Sequence, residues 1–188
     1  YPLFAKPVAE GTGKGVSPVS KIVSPADLRD VCRALLEKFR QPVLVETFLP
    51  GREFTVGIVG TGAEAGVVGC MEIVYGAKAE GDVYSFINKA EYESRISYTA
   101  GLDENARRAG ETALAAYRAL GCRDGARVDI REDAAGIPNF IEVNTLAGLN
   151  PVHSDLPIAA RFFGVTYEEL IRRILFSGLR RAGLLPAS

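Results

Sequence analysis

The sequence predicts an α+β protein built as two lobes of antiparallel-rich sheet with helices, and three observations lead there. Two strand-like segments, LFAKP and VSPVSKIV, flank the glycine-rich stretch AEGTGKG. A sheet-rich middle, PVLVETFLPGREFTVGIVG, is broken at Pro50-Gly51. Two further period-two segments, ARVDIR and FIEVN, are joined by the turn-forming EDAAGIPN, and strands so closely connected pair antiparallel. Pro50-Gly51 is the expected boundary between a small lobe, residues 1–50, and a large lobe, residues 51–188.

A chain of 188 residues, 47% of them apolar, can bury a sizeable core. Its formal net charge is −1, with no Lys/Arg block and no aromatic residues interleaved with basic ones, which speaks against a nucleic-acid surface. Cys32, Cys70 and Cys122 are far apart and lack Cys-x-x-Cys spacing, which argues against a disulfide framework or a zinc site and fits a reducing cytoplasm. No apolar run reaches membrane-spanning length. The start YPLFAKP has no initiator Met and no signal-peptide pattern. It opens inside a strand, so the chain is expected to be a fragment of something longer.

The first two strands are read from alternating or β-branched residues on either side of a flexible loop. A helix follows, with Ser24 as cap, Pro25 at its first position, and Leu28, Val31, Leu35, Leu36 and Phe39 recurring at helical spacing. PVLVETF, REFTVGIVG and AGVVGCMEIV supply three more strands. Residues 76–100 are polar and weakly periodic, the pattern of a long, moving functional loop with short strands at its ends. After Asp103, NARRAGETALAAYRAL forms an alanine-rich helix that Gly121 can end. A last helix opens on the capping box of Thr166 and Glu169 and turns Leu170, Ile171, Ile174 and Leu175 inward.

The hairpin at 125–144 carries the chemistry. Arg127, Asp129 and Arg131 share one strand face and Val128 and Ile130 the other; on the second strand Phe140, Glu142 and Asn144 alternate with Ile141 and Val143. Matching apolar to apolar sets Val128 against Val143, Ile130 against Ile141, Asp129 against Glu142 and Arg127 against Asn144. Two carboxylates opposed at 4 Å repel by roughly 4 kcal/mol at an effective dielectric of about 20, so something positive must offset them. Arg127 does so in part. Two carboxylates and an amide oxygen are also the hard ligands that Mg²⁺ takes, with positions left for phosphate and water. On spacing alone, a solvated face with ordinary surface charges accounts for the pattern equally well.

AKPVAEGTGKGV departs from a Walker A loop: Val8 stands where its first glycine would, and Gly15 follows Lys14 in place of Ser/Thr. A glycine-rich turn can still lay N–H groups over phosphates beside Lys6 or Lys14. By itself, a ligand-free glycine hairpin is the simpler account.

In order and separation, AKP with the glycine loop, VLVETFLPGREFTVGI, the lysine in INKAEY, LGCRDGARVDI, IEVNTLAGL and VTYEELIRRIL resemble the ATP-grasp ligases, and within them the D-alanine–D-alanine ligase family. The resemblance implies an ATP-grasp fold with nucleotide between its lobes. It implies that Lys6 and Lys89 meet ATP phosphates under the loop of Gly11, Thr12, Gly13 and Gly15. Glu46 and the Leu49 backbone would hold adenine and Glu53 the ribose, while Asp129, Glu142 and Asn144 would hold two Mg²⁺ ions, with Mn²⁺ as a substitute. Arg127 and the Gly148 N–H would stabilise the oxyanion of acyl transfer. The implied reaction is ATP-dependent dipeptide synthesis through an acyl phosphate, for peptidoglycan precursors, by a cytoplasmic homodimer acting on small amino acids. The family's N-terminal substrate domain lies ahead of the strand with which this sequence begins, so the fragment alone is expected to bind nucleotide weakly and not to turn over.

Departures cluster where the amino acids would bind. Thr12 and Gly13 replace two serines of the family's loop, Ala90 an aromatic after the lysine, and Ala147 a proline. The acceptor stretch reads NPVHSDLP and brings Asn150 and His153 to the second-substrate region; an ordinary loop role accounts for His153 as well as a substrate contact does. These departures admit a relative that joins another amino acid, hydroxy acid or amine. A nucleotide-binding module without catalysis is the reading from another class, against which the complete set of Arg127, Asp129, Glu142 and Asn144 argues.

Overall fold

Strands β1 (Leu3–Pro7), β2 (Lys21–Ile22) and β3 (Val43–Thr47) pair antiparallel in the order β2-β1-β3. β2 is short because Pro18–Ser20 forms a 3-10 turn just before it. Helix α1 (Pro25–Phe39) starts where Ser24 Oγ accepts the Asp27 N–H at 3.2 Å. Leu28, Val31, Cys32, Leu35 and Phe39 of α1 pack on Ala5 and Ile22. Leu36, expected on this face, is exposed, because the buried stripe runs through Cys32 and Leu35 and residue 36 falls at its margin. The computed structural model describes residues 1–11, 13–75 and 96–185.

The second sheet has the order β6-β5-β4-β7-β8, with β4 at Glu53–Val59, β5 at Gly66–Tyr75, β6 at Ile96–Ala100, β7 at Gly125–Glu132 and β8 at Pro138–Asn144. β4 lies between β5 and β7 and is buried along its whole length. Helix α2 (Glu104–Ala119), capped by Asp103 Oδ1 on the Ala106 N–H at 2.9 Å, covers one face. Its Ala106, Ala109, Ala113 and Tyr117 meet Phe54, Val56, Ile58, Val128 and Ile130. The alanines have no long side chain to hold the helix off, so its backbone approaches the strands closely.

The other face carries α3 (Asp155–Phe162) and α4 (Tyr167–Arg181). Leu156 and Ala160 of α3 and Leu170 of α4 pack with Val59 and Val68; Ile158 and Ala159 pack with Met71. α3 begins with Ser154 at its N-cap and Pro157 in its first turn, where the missing N–H costs nothing. α3 rests on two paired glycines. A Cβ on Gly57 would lie 2.7 Å from Leu156 Cδ1, and one on Gly69 would strike the Ala159 carbonyl. In α4, Thr166 Oγ1 accepts the Glu169 N–H at 3.2 Å. Glu169, expected to complete the capping box, binds Arg172 and Arg173 at 2.6 and 2.7 Å. Leu175, expected inward, is exposed, since the buried face runs through Leu170 and Ser177.

The β7–β8 register sets Arg127 against Asn144, Val128 against Val143 and Asp129 against Glu142. A bulge then shifts the pairing, so Ile130 faces Phe140, not Ile141 as alternation alone predicts. Asp133 Oδ1 ties the connecting turn through the Ala135 and Ile137 N–H groups at 2.8 and 2.9 Å.

The chain divides into two units, Tyr1–Pro50 with Tyr75–Ser97 and Gly51–Val74 with Tyr98–Ser188. Residues 76–95, which include Lys89 and Ala90, and Thr12 lie outside the described residues. Among the described residues no helix is long and apolar enough to cross a membrane.

Candidate active site

Alternation on β7 turns Arg127 and Asp129 away from the α2 core and toward the α3 side of the sheet. The guanidinium binds Asp129 twice, Nε to Oδ1 at 3.1 Å and Nη2 to Oδ2 at 2.9 Å. Its remaining nitrogen, Nη1, donates to Asp155 Oδ2 at 2.9 Å. Glu142 Oε1 lies 3.7 Å from Nη2 across the hairpin. Side-chain exposure falls from 44% at Glu142 to 15% at Arg127 and 12% at Asp129 and Asp155, so the cluster has one open side, and Glu142 stands on it. Burial alone would push the Arg127 guanidinium down; the charges of Asp129, Asp155 and Glu142 outweigh it and raise the group, which stays cationic throughout.

Thr55, buried on β4 and opposite Asp129, donates its hydroxyl to Asp129 Oδ1 at 3.1 Å. Asn144 Nδ2 donates to Glu142 Oε1 at 3.1 Å. Asp129 and Glu142 thus face each other with an amide two residues along, a set of hard oxygen donors that fits Mg²⁺. Among the described residues no group of three or more His, Cys, Asp or Glu side chains is placed to hold a metal; the set here is two carboxylates and an amide.

Beyond β8 a loop leads back to this cluster. Ser154 Oγ accepts the Asn150 N–H at 3.0 Å, and a Cβ on Gly148 would lie 2.6 Å from that same oxygen. Only a glycine fits there without moving Ser154. Asn150 Oδ1 accepts the N–H groups of Val152 and His153 at 2.9 and 3.0 Å, which makes Asn150 a turn-former; His153 is exposed. Glu53 lies on β4 and pairs with Arg131 at 2.8 Å.

The remaining candidates belong to the first unit. Lys6 on β1 and Glu46 on β3 project from one face and pair at 2.9 Å. Leu49 is half-buried and Gly11 exposed. Gly15, at φ 83°, sits against Pro7, where a Cβ would lie 2.6 Å from Pro7 Cγ. Gly13, at φ 71°, accepts the Val16 N–H at 3.0 Å, so the loop folds on its own backbone.

Thr55 and Asp155 are the two members of the cluster that sequence reasoning missed. Strand register could have found Thr55 opposite Asp129; nothing local to Asp155 marks it, since its partner lies 28 residues away. Two cavities lie away from this cluster, about 430 Å³ beside Cys70 and α2 and about 520 Å³ between α4 and the β4–β5 turn. Burial pushes the Cys70 thiol up to about 12, which makes it a poor nucleophile.

Residues 1–176 match the family of D-ala D-ala ligase C-terminal domains. The D-alanine–D-alanine ligase of Bordetella petrii is 37% identical over 171 residues, 90% of this chain and 50% of the relative. That of Actinobacillus pleuropneumoniae is 34% identical, over 93% and 54%. Among solved structures, the D-alanine–D-alanine ligase of Bacillus anthracis complexed with ATP superposes with TM-score 0.72 at 26% identity, over 97% of this chain and 54% of that one. The VanG D-Ala:D-Ser ligase of Enterococcus faecalis gives 0.72 at 26%, over 94% and 49%. The chain spans about half the length of the relatives it matches.

Proposed function

The chain belongs to the D-alanine–D-alanine ligase C-terminal family, and from that premise we propose that it is the ATP-binding and acyl-transfer part of an ADP-forming ligase that joins D-alanine to D-alanine. The observation that carries the proposal is the clasped Arg127, held by Asp129 and Asp155 and facing Glu142 across the hairpin. In this reading Lys6 and Lys89 bind ATP phosphates beneath the loop from Gly11 to Gly15, and Glu46, Leu49 and Glu53 hold the nucleoside. Asp129, Glu142 and Asn144 hold Mg²⁺, which when bound neutralises charge on the transferring phosphoryl group.

The donor's carboxylate attacks the γ-phosphorus of ATP, ADP leaves, and a poor leaving oxygen becomes an acyl phosphate. The acceptor's amine then adds to the acyl carbon, negative charge collects on the carbonyl oxygen, the nitrogen gives up one proton to the departing phosphate or to water, and the amide forms as phosphate leaves. Arg127 and the Gly148 N–H donate to that oxygen, and donors fixed before the reaction need no reorganisation when charge develops. Such an enzyme acts in the cytoplasm, as a homodimer, and supplies cell-wall precursors.

A second reading keeps the chemistry and changes the acceptor. It is favoured by the equal structural likeness to a D-Ala:D-Ser ligase and by the NPVHSDLP acceptor stretch. The test is ADP and phosphate release by the full-length protein with ATP and Mg²⁺ over D- and L-amino acids and hydroxy acids. Release stimulated by D-alanine alone with D-alanyl-D-alanine as product supports the first reading, and a mixed product the second. Nucleotide binding without release under any substrate would overturn both and leave a non-catalytic module.

A further inference from the structure

Arg127 has three nitrogens, and the partners they take differ in kind. Nε and Nη2 go to Asp129, which faces Glu142 in the oxygen set suited to a metal. Nη1 goes to Asp155, which lies on another element and outside that set. We propose that Asp155 is the positioning residue for Arg127: it fixes the plane of the guanidinium from the α3 side and so sets where the oxyanion donor points. The inference rests on the ligase reading for what Arg127 does, and on geometry alone for what Asp155 does.

A bidentate pair with Asp129 restrains Arg127 along one edge and leaves the whole pair able to tilt together. A second carboxylate on the third nitrogen removes that freedom. It has to be a rigid carboxylate. Asp155 opens α3, and the next residue, Leu156, is 1% exposed and seated over Gly57, which pairs in register with Arg127 itself. The residue before, Ser154, binds the Asn150 N–H and closes against Gly148. One short segment, Ser154–Leu156, therefore fixes both proposed donors to the oxyanion, Arg127 through Asp155 and the Gly148 backbone through Ser154.

The test uses full-length protein with Asp155→Ala and Asp155→Asn, after thermal unfolding has shown both to fold. Crystal structures give a readout that needs no turnover: in Asp155→Ala the guanidinium leaves its position below α3, and in Asp155→Asn, which keeps an acceptor oxygen, it stays. Kinetically, Asp155→Ala lowers kcat for dipeptide formation by roughly 10- to 100-fold, the size of a misplaced catalytic group. KM for ATP and the single-turnover burst of ADP hardly change, and Asp155→Asn recovers part of kcat. An unmoved guanidinium in Asp155→Ala, or equal loss of the ADP burst and of ligation, would overturn the proposal. A wild-type protein that forms no ADP with any substrate overturns the ligase reading instead, and the crystal structures still decide the role of Asp155. Should Asp155→Ala not fold, Asp155→Ser, whose hydroxyl is too short to reach Nη1, takes its place: its guanidinium shifts and its dipeptide kcat falls while the ADP burst stays, and an unmoved guanidinium would overturn the assignment.

Discussion

The two faces of β7 are built from the same eight residues and have opposite characters. On one, Ala126, Val128 and Ile130 lie at 0% exposure under α2, and removing water is their contribution. On the other, Arg127 and Asp129 are nearly as buried but bind side chains from β4, β8 and α3. The difference lies in the helices above. α2 meets the strands through alanines along its length. α3 meets them through glycines in the sheet and begins directly over Arg127, so a charged first turn reaches the strand. Charge is tolerated in the sheet where each partner is itself held in place, since an unpaired ion there would be costly.

Under the proposed function, breaking the polar face should slow ligation. Arg127→Ala is expected to lower ligation by about 10²- to 10³-fold, the cost of one oxyanion donor, while nucleotide affinity by titration is unchanged. Normal turnover would remove its role. The apolar face should answer in stability: Ile130→Ala is expected to cost about 2–5 kcal/mol in urea unfolding, with the rate of the remaining folded enzyme intact. Gly69→Ala joins the two effects, because its Cβ meets the Ala159 backbone and must push α3 outward. A cost of about 1–3 kcal/mol is expected, with loss of ligation rate because Asp155 moves with the helix.

The smallest effect should come from Asp124, just ahead of β7 and outside the Arg127 cluster. Asp124 accepts from Arg181, Ser177 and Thr61, and the Arg181 guanidinium above all holds its carboxyl below the usual range. A depressed folded value means that this stability is present above the unfolded value of about 3.9 and is lost as pH falls through the lower folded one. Asp124→Asn should therefore cost about 1–2 kcal/mol at pH 7. The gap to wild type should be flat from neutral pH down to about 5 and close below about 4. A gap unchanged at pH 3 would show that the charge is not its source.

The hairpin was legible because period two and apolar matching act on neighbours in the chain. Val128, Asp129 and Arg127 found their predicted partners from alternation alone. Alternation could not show the bulge that moves Ile130 to Phe140, because an extra residue leaves the local pattern intact. The helix of Asp155 was missed for a related reason. Its eight residues contain a proline, and the five in a row from Leu156 to Ala160 are all buried, so no polar stripe alternates with an apolar one. Leu36 and Leu175 show the converse, as leucines at helical spacing that the packing leaves in water. Arg127 was found by its strand position; what holds it from above depends on a tertiary contact that no local pattern encodes.

As proposed, Asp129, Glu142 and Asn144 form a divalent-cation site beside Arg127. Anomalous scattering from crystals of the full-length protein with Mn²⁺ and a non-hydrolysable ATP analogue tests it directly. The expected result is manganese at coordination distance from the oxygens of Asp129, Glu142 and Asn144, bridged to the phosphates; phosphates bound without manganese at these oxygens, or manganese elsewhere, would contradict it.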